Sequence, residues 1–230
     1  APGQPFDFAS AAAKSSATAS ATHMITNYLT PDGFCSSLQN GINEERMASV
    51  VGWGKTVGCI ASTIAVELDR PGHINRNVKL GGTERMIFSV GEVHGRITPR
   101  AEKLSEMLSC IDSSEVTTNL WGKRWSKLMV NCMRNPVSAA TGRGGNANDR
   151  DDRTRRLAVR LAGEAGRIGV ALGYELGLVY KIDPKLLMAA EQGDSDAMAQ
   201  CEEKLLANTT FRNDDNRPSM GQDMQKGRRT

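Results

Sequence analysis

Lys127, Asn131 and Asn135 recur at steps of four through LWGKRWSKLMVNCMRNP, residues 120 to 136. An ammonium and two amides in that order suit one kind of chemistry. The ammonium can stabilise negative charge growing on an oxygen and hand it a proton. Amides one and two turns away can donate to a carboxylate and accept from a hydroxyl. With about 3.6 residues per helical turn, the three side chains share one narrow stripe, while Trp125, Leu128, Met129, Cys132 and Met133 cover much of the rest. A helix apolar on several sides packs between other elements, so the stripe is expected to face a cleft or another polar surface. The plainer alternative is a solvated edge. Asn135 weighs against that alternative, because Asn is a weak helix former and a residue before proline, here Pro136, is biased away from helical dihedrals.

The elements that must position this stripe follow from the flanking chain. GFCSSLQN (33–40) reads as a short strand entering a turn at Asn40-Gly41, and INEERMASVV (42–51) as a helix with acids in its first turn. TVGCIASTIAVEL (56–68) and RMIFSVGEV (85–93) are β-branched and apolar, with a Pro-Gly turn at 71–72 between them, and predict further strands of a mixed sheet. TPRAEKLSEMLSC (98–110) predicts an amphipathic helix capped by Thr98, with proline in its first turn. A brief EVTT precedes a long helix from Asn119. DRDDRTRRLAVRLAGEAGRIGVALGY (149–174) places Leu157, Leu161, Ala165, Ile168 and Leu172 on one apolar face, and residues 184–207 supply more helix. From about residue 118 onward everything reads as helical. The expected organisation is an α/β portion over 1–117 followed by an all-helical portion over 118–230, with no internal repeat.

Composition narrows the function classes. With 230 residues, 39% hydrophobic and 24% charged, the chain can bury one large core or two modest ones. A net charge of +3, with acids interleaved among the basic residues and 5% aromatics, offers neither a phosphate-tracking groove nor a base-stacking platform, so no nucleic-acid partner is expected. No window approaches the roughly 18 to 20 apolar residues of a membrane span, and the Ala/Ser-rich start has neither the basic nor the apolar region of an export signal. Five cysteines without a CxxC pair fit reduced thiols and a cytoplasmic location. The histidines, His23, His73 and His94, lie at no metal-ligand spacing, so no metal site is expected. Trp121 and Trp125 read as core packing, Cys132 as an inert packed thiol, and DRDDRTRR as a capped, solvated helix start.

The segment WSKLMVNCMRNPVSAATG (125–142) resembles the start of the helical domain in the ketopantoate reductase (2-dehydropantoate 2-reductase) family. AAAKSS around Lys14, SLQNGINEE around Asn40 and RPSMGQDMQKGRRT at 217–230 resemble further family segments in the same order. The resemblance implies a partial Rossmann-type nucleotide-binding domain followed by a helical domain that binds substrate and mediates dimerisation, with a homodimer as the expected assembly. It also implies reduction of ketopantoate, or a related branched 2-keto acid, by NADPH. Lys127 is then the general acid. Asn131, Asn135 and Ser219 bind the hydroxyl and carboxylate groups of the substrate, and Lys14 and Asn40 line the NADP(H) site. By composition residues 1–22 are an Ala/Ser linker; by resemblance they are a strand and helix of the nucleotide domain.

Two departures from the family pattern stand out. No GxGxxG phosphate turn occurs, since GWGKTVG (52–58) and GRGGNA (142–147) have the wrong spacing. The family pattern also continues past GRRT with a glutamate. The chain therefore reads as an internal piece of a longer reductase, and the alternative is a non-catalytic helical module for dimerisation or small-acid binding.

Overall fold

The computed structural model describes residues 4–62, 64, 66–76, 78–82, 85–209 and 217–229. It forms two compact units, residues 1–120 and 121–230.

The first unit is built on a five-stranded sheet. β1 (Phe6–Ala11), β2 (Leu29–Ser37) and β3 (Thr56–Ala61) run parallel, and the order continues through β6 (Phe88–Glu92), antiparallel to β3, to β7 (Ser114–Val116), parallel to β6. Parallel neighbours need crossovers. These are α1 (Thr18–Thr26) between β1 and β2 and α2 (Glu44–Val51) between β2 and β3. The Ala/Ser-rich start is thus a strand and a helix, as the resemblance implied, and its small residues do not make a linker.

Alternation along β2 sorts the two cores. Phe34 packs with Val57, Phe88, Val90 and Leu104, the last on α3 (Pro99–Ser109), whereas Cys35 packs with Ala11 and Met47. Side chains on successive strand residues point to opposite faces, so one apolar strand serves both layers. Thr98 caps α3 as expected, its hydroxyl accepting from the Ala101 N–H at 3.3 Å.

One strand expectation needs correction. The apolar run 56–68 is not continuous: β3 ends at Ala61, and β4 (Val66–Arg70) leaves the sheet to pair with β5 (His73–Arg76) across the Pro71-Gly72 turn. Thr63 and Ala65, inside that predicted run, lie outside the described residues, as does Thr230 at the end of the C-terminal motif. The hairpin is tied down by the Arg76–Asp112 ion pair, and Asp112 Oδ1 also accepts from the Gly81 N–H at 2.9 Å.

The second unit is helical, with α4 (Leu120–Thr141), α5 (Gly145–Arg150), α6 (Asp152–Ala171), α7 (Pro184–Glu191), α8 (Ser195–Asn208) and α9 (Ser219–Gln225). Asp151 caps α6 by accepting from the Arg153 and Thr154 N–H groups at 3.1 and 3.0 Å. Contrary to the dihedral bias argued for Asn135, α4 runs through Asn135 and Pro136 unbroken. Proline inside a helix costs about 3 kcal/mol. Burial of Met129, Met133 and Val137 against α6, α7 and α8 outweighs that cost locally.

The apolar face assigned to α6 is also corrected. Of that face Ala165 is buried and Leu161 packs at the edge of the core, but Leu157, Ile168 and Leu172 are each about half exposed, and the rest of the buried face is Ala158, Val159, Ala162, Gly163, Gly166 and Gly169. Close helix approach requires small residues there. A methyl group at Gly163 would overlap the Leu187 carbonyl of α7, and one at Gly166 would lie 2.8 Å from the Met129 methyl.

Nor is the unit helical throughout. Val179 and Ile182 exchange backbone hydrogen bonds at 2.9 Å around Tyr180 and Lys181, which both take positive φ (51° and 63°). Trp121 and Trp125 are packing residues, each stacked on Tyr174 with ring centroids 6.1 Å apart.

Candidate active site

In the helical unit, three of the predicted site residues are joined by hydrogen bonds. Asn135 Nδ2 donates to Asn131 Oδ1 at 3.3 Å, one turn earlier on α4. Asn135 Oδ1 in turn accepts from the Ser219 hydroxyl at 3.3 Å and from the Met220 backbone N–H at 3.4 Å, at the start of α9. Residues 84 positions apart in sequence thereby meet on one helix face. Lys127 is half-buried on the same helix, one turn before Asn131.

The two amides are half-buried rather than solvated or sealed. They edge a groove of about 400 Å³ whose other walls include Leu128, Leu161, Ile168 and Met220. Cys132 also faces this groove. Burial, and then the nearby Glu164 carboxylate, push its thiol upward, which keeps it protonated and unreactive near neutrality.

Close packing sets α9 on α4. A Cβ built on Gly221 would lie 2.5 Å from Ser138 Oγ. Ser138 is itself fully buried and donates to the Arg143 carbonyl at 2.7 Å. Met220 and Gly221 have no feature in the sequence that marks these roles; only the three-dimensional approach reveals them. Asn146 and Asn148 are buried and bonded to the Thr209 and Arg143 carbonyls.

In the α/β unit, Lys14 and Asn40 lie just beyond the carboxyl ends of the adjacent parallel strands β1 and β2, both exposed. Their two loops are laced together. Ser15 Oγ donates to the Asn40 carbonyl at 2.9 Å, Asn43 Nδ2 donates to the same carbonyl at 2.8 Å, and Gln39 Nε2 reaches the Ala13 carbonyl at 2.7 Å. Gln39 is buried by these bonds, so of the QNG triplet only Asn40 presents its side chain outward. Arg46 adds a second cation at this rim, its Nη1 donating to the Ser15 carbonyl at 3.2 Å. In open α/β sheets, ligands bind in the crevice outside the carboxyl ends of the strands.

Comparison with known proteins places the helical unit. The sequence model of the family described as "Ketopantoate reductase PanE/ApbA C terminal" matches residues 119–230. The helical unit is thus similar to the C-terminal part of the ketopantoate reductase family. A 2-dehydropantoate 2-reductase of Mesorhizobium japonicum is 33% identical over 131 residues, covering 56% of this chain and 38% of that protein. A 2-dehydropantoate 2-reductase of Archaeoglobus fulgidus is 28% identical over 200 residues, covering 86% of this chain and 57% of that protein. The chain therefore spans well under two thirds of either relative. The fold is shared with the solved 2-dehydropantoate 2-reductase of Geobacter metallireducens GS-15, with a TM-score of 0.75 at 23% identity over 99% of this chain and 67% of that one.

The family that the helical unit resembles implies a nicotinamide dinucleotide as cofactor. The rim at β1 and β2 fits part of such a ligand, since it gathers an ammonium, a guanidinium, a hydroxyl and an amide at strand ends. The Gly-rich turn that cradles a pyrophosphate does not occur in this sequence. Among the described residues, no group of three or more His, Cys, Asp or Glu is placed to hold a metal ion, and no helix is long and apolar enough to cross a membrane.

Proposed function

We propose that this chain is part of a reductase that converts 2-dehydropantoate, or a related branched 2-keto acid, to the 2-hydroxy acid with NADPH. The observation that carries this reading is the hydrogen-bonded line from Ser219 and Met220 through Asn135 to Asn131, set one turn from Lys127 on α4. NADPH, when bound, supplies the hydride, and Lys14 and Asn40 are the residues that would hold it.

The chain's own groups do the rest. As the carbonyl carbon is reduced, negative charge grows on its oxygen. The Lys127 ammonium stabilises that charge and delivers the proton that completes the hydroxyl. Asn131, Asn135 and Ser219 form the polar contacts of the substrate site, holding the acid so that its carbonyl meets the ammonium. The helical unit also provides the surface through which two copies pair.

Calorimetric titration of ketopantoate into the protein, with pyruvate as the unbranched comparison, tests the substrate half of this reading. Binding of ketopantoate that weakens roughly tenfold or more in Asn131→Leu is the expected result, in keeping with loss of one hydrogen bond to a charged group. Equal affinities for the variant and the unaltered chain would remove Asn131 from the site.

A further inference from the structure

Asn43 occupies the N-cap position of α2 but does not cap it. Asparagine is favoured at such a position because its side-chain oxygen accepts from the free N–H groups of the first helical turn. Here the side chain is buried, 1% exposed, and is diverted to the loop that follows β1. Its Nδ2 donates to the Asn40 carbonyl at 2.8 Å and to Ser15 Oγ at 3.2 Å. A carbonyl can only accept, so the amide has one orientation. Nitrogen faces Asn40, and oxygen faces the buried Thr18 hydroxyl at 3.3 Å.

Gln39 makes the matching bond on the other side of Lys14. Its Nε2 donates to the Ala13 carbonyl at 2.7 Å, and its Oε1 lies 3.1 Å from the same Thr18 hydroxyl. The chain is thus held on both flanks of Lys14, at Ala13 by Gln39 and at Ser15 by Asn43. The Ser15 hydroxyl closes the set by donating to the Asn40 carbonyl at 2.9 Å. Lys14 and Asn40 are exposed, whereas Gln39, Asn43 and Thr18 are buried.

We infer that Asn43 is a positioning residue of the cofactor site, giving up the capping of its own helix to fix Lys14 and Asn40 relative to each other. The inference deepens the reductase reading and rests on it for the identity of the ligand, although the coupling of the two loops does not. The family resemblance assigns Lys14 and Asn40 to the cofactor separately; the bonds of Asn43 make them one unit. Buried as it is, Asn43 acts through these neighbours and not on the ligand. Its contribution is preorganisation, because loops already held in place lose less freedom when a dinucleotide arrives.

Two variants test this in the protein expressed at the full length of its reading frame. Asn43→Ser keeps a residue that caps helices well but is too short to reach Asn40 and Ser15 together. Ser15→Ala removes the other half of the link from a partly exposed position. The Ala17 amide, bonded to the Lys14 carbonyl at 2.8 Å, should exchange its hydrogen roughly tenfold faster in both variants, while amides of β3 keep their protection. The NADPH Kd, measured by fluorescence titration, should rise roughly five- to tenfold in both. Ser15→Thr, which retains the hydroxyl, should bind NADPH as the unaltered protein does. Unchanged exchange at Ala17 in Asn43→Ser and Ser15→Ala overturns the coupling. Faster exchange with an unaltered NADPH Kd overturns the positioning role. Faster exchange in a protein that fails to bind NADPH even when unaltered shows the loops coupled and brings down the cofactor assignment, and the reductase reading with it.

Discussion

Gly221 lies so close over Ser138 that a Cβ on it would sit 2.5 Å from the serine hydroxyl oxygen. Ser138 is buried and bonded to the Arg143 carbonyl, so it has no easy retreat. Gly221→Ala is therefore expected to lift the start of α9 from α4 and lengthen the Met220 and Ser219 bonds to Asn135. The effect on function should be weaker substrate binding by roughly fivefold, about what one neutral hydrogen bond contributes, with a smaller effect on turnover. Steady-state kinetics that show an unchanged KM would mean that α9 does not support the site.

Gly91 presents a comparable case in the α/β unit. It pairs with Gly58 across β6 and β3, and the two glycines make room for the fully buried Leu120 side chain. A Cβ at Gly91 would stand 2.9 Å from the Thr117 carbonyl oxygen and 3.0 Å from Leu120 Cβ. Gly91→Ala should destabilise the protein by about 1 to 3 kcal/mol, in the usual range for overpacking. Urea unfolding checks it, with a lower midpoint at unchanged slope as the expected outcome.

Acid stability should depend on two buried carboxylates. Burial pushes the Asp112 carboxyl up, but the Arg76 guanidinium and the N–H groups of Ser113 and Gly81 outweigh it and hold the group at about 2, below its ordinary 3.8. Glu92 is likewise held low: burial opposes ionisation, and Arg100 and Thr98 overcome it, with Arg100 Nε at 2.6 Å and Nη2 at 2.7 Å. Both folded values lie below the unfolded ones, so the unfolded chain takes up protons first as pH falls. The stability these groups contribute is fully present above about pH 5 and drains away toward pH 2. Thermal melts should be nearly flat from pH 7 to 5 and decline below, and in Asp112→Asn the decline should be shallower from a lower starting point. An identical acid slope in the variant would remove Asp112 from this account.

Much of this was legible in the sequence where one residue type has one strong physical reason to be where it is. Thr98 before proline is a cap because a short oxygen can meet free helical N–H groups, and DRDDRTRR read as a capped helix start for the same reason, although only the structure shows that the capping residue is Asp151. Lys127, Asn131 and Asn135 stood out because polar residues at a four-residue step break an otherwise apolar helix. The failures share a cause. The face of α6 was assigned by following its large apolar residues, while the contact with α4 and α7 is made by glycines and alanines, whose value lies in letting backbones approach. The continuous helix through Pro136 is set by burial of Met129, Met133 and Val137, a tertiary effect that no local dihedral preference reports. The departure of β4 from the main sheet depends on pairing with β5 across the Pro71-Gly72 turn and on the Arg76–Asp112 anchor, and Arg76 and Asp112 are too far apart in sequence for any pattern to connect. Met220 contributes a backbone N–H, and a backbone group leaves no signature in residue type.

The central claim is that Lys127 serves as the proton donor in reduction of a branched 2-keto acid. Its most direct test is the ketopantoate-dependent loss of NADPH absorbance, measured with the protein expressed at the full length of its reading frame, beside the same protein carrying Lys127→Ala. The account predicts turnover by the unaltered protein and a fall of roughly two to four powers of ten in the variant, the usual cost of a lost general acid, with both proteins folded. Turnover that is unchanged in Lys127→Ala, or a folded full-length protein that leaves NADPH untouched with ketopantoate, would contradict it.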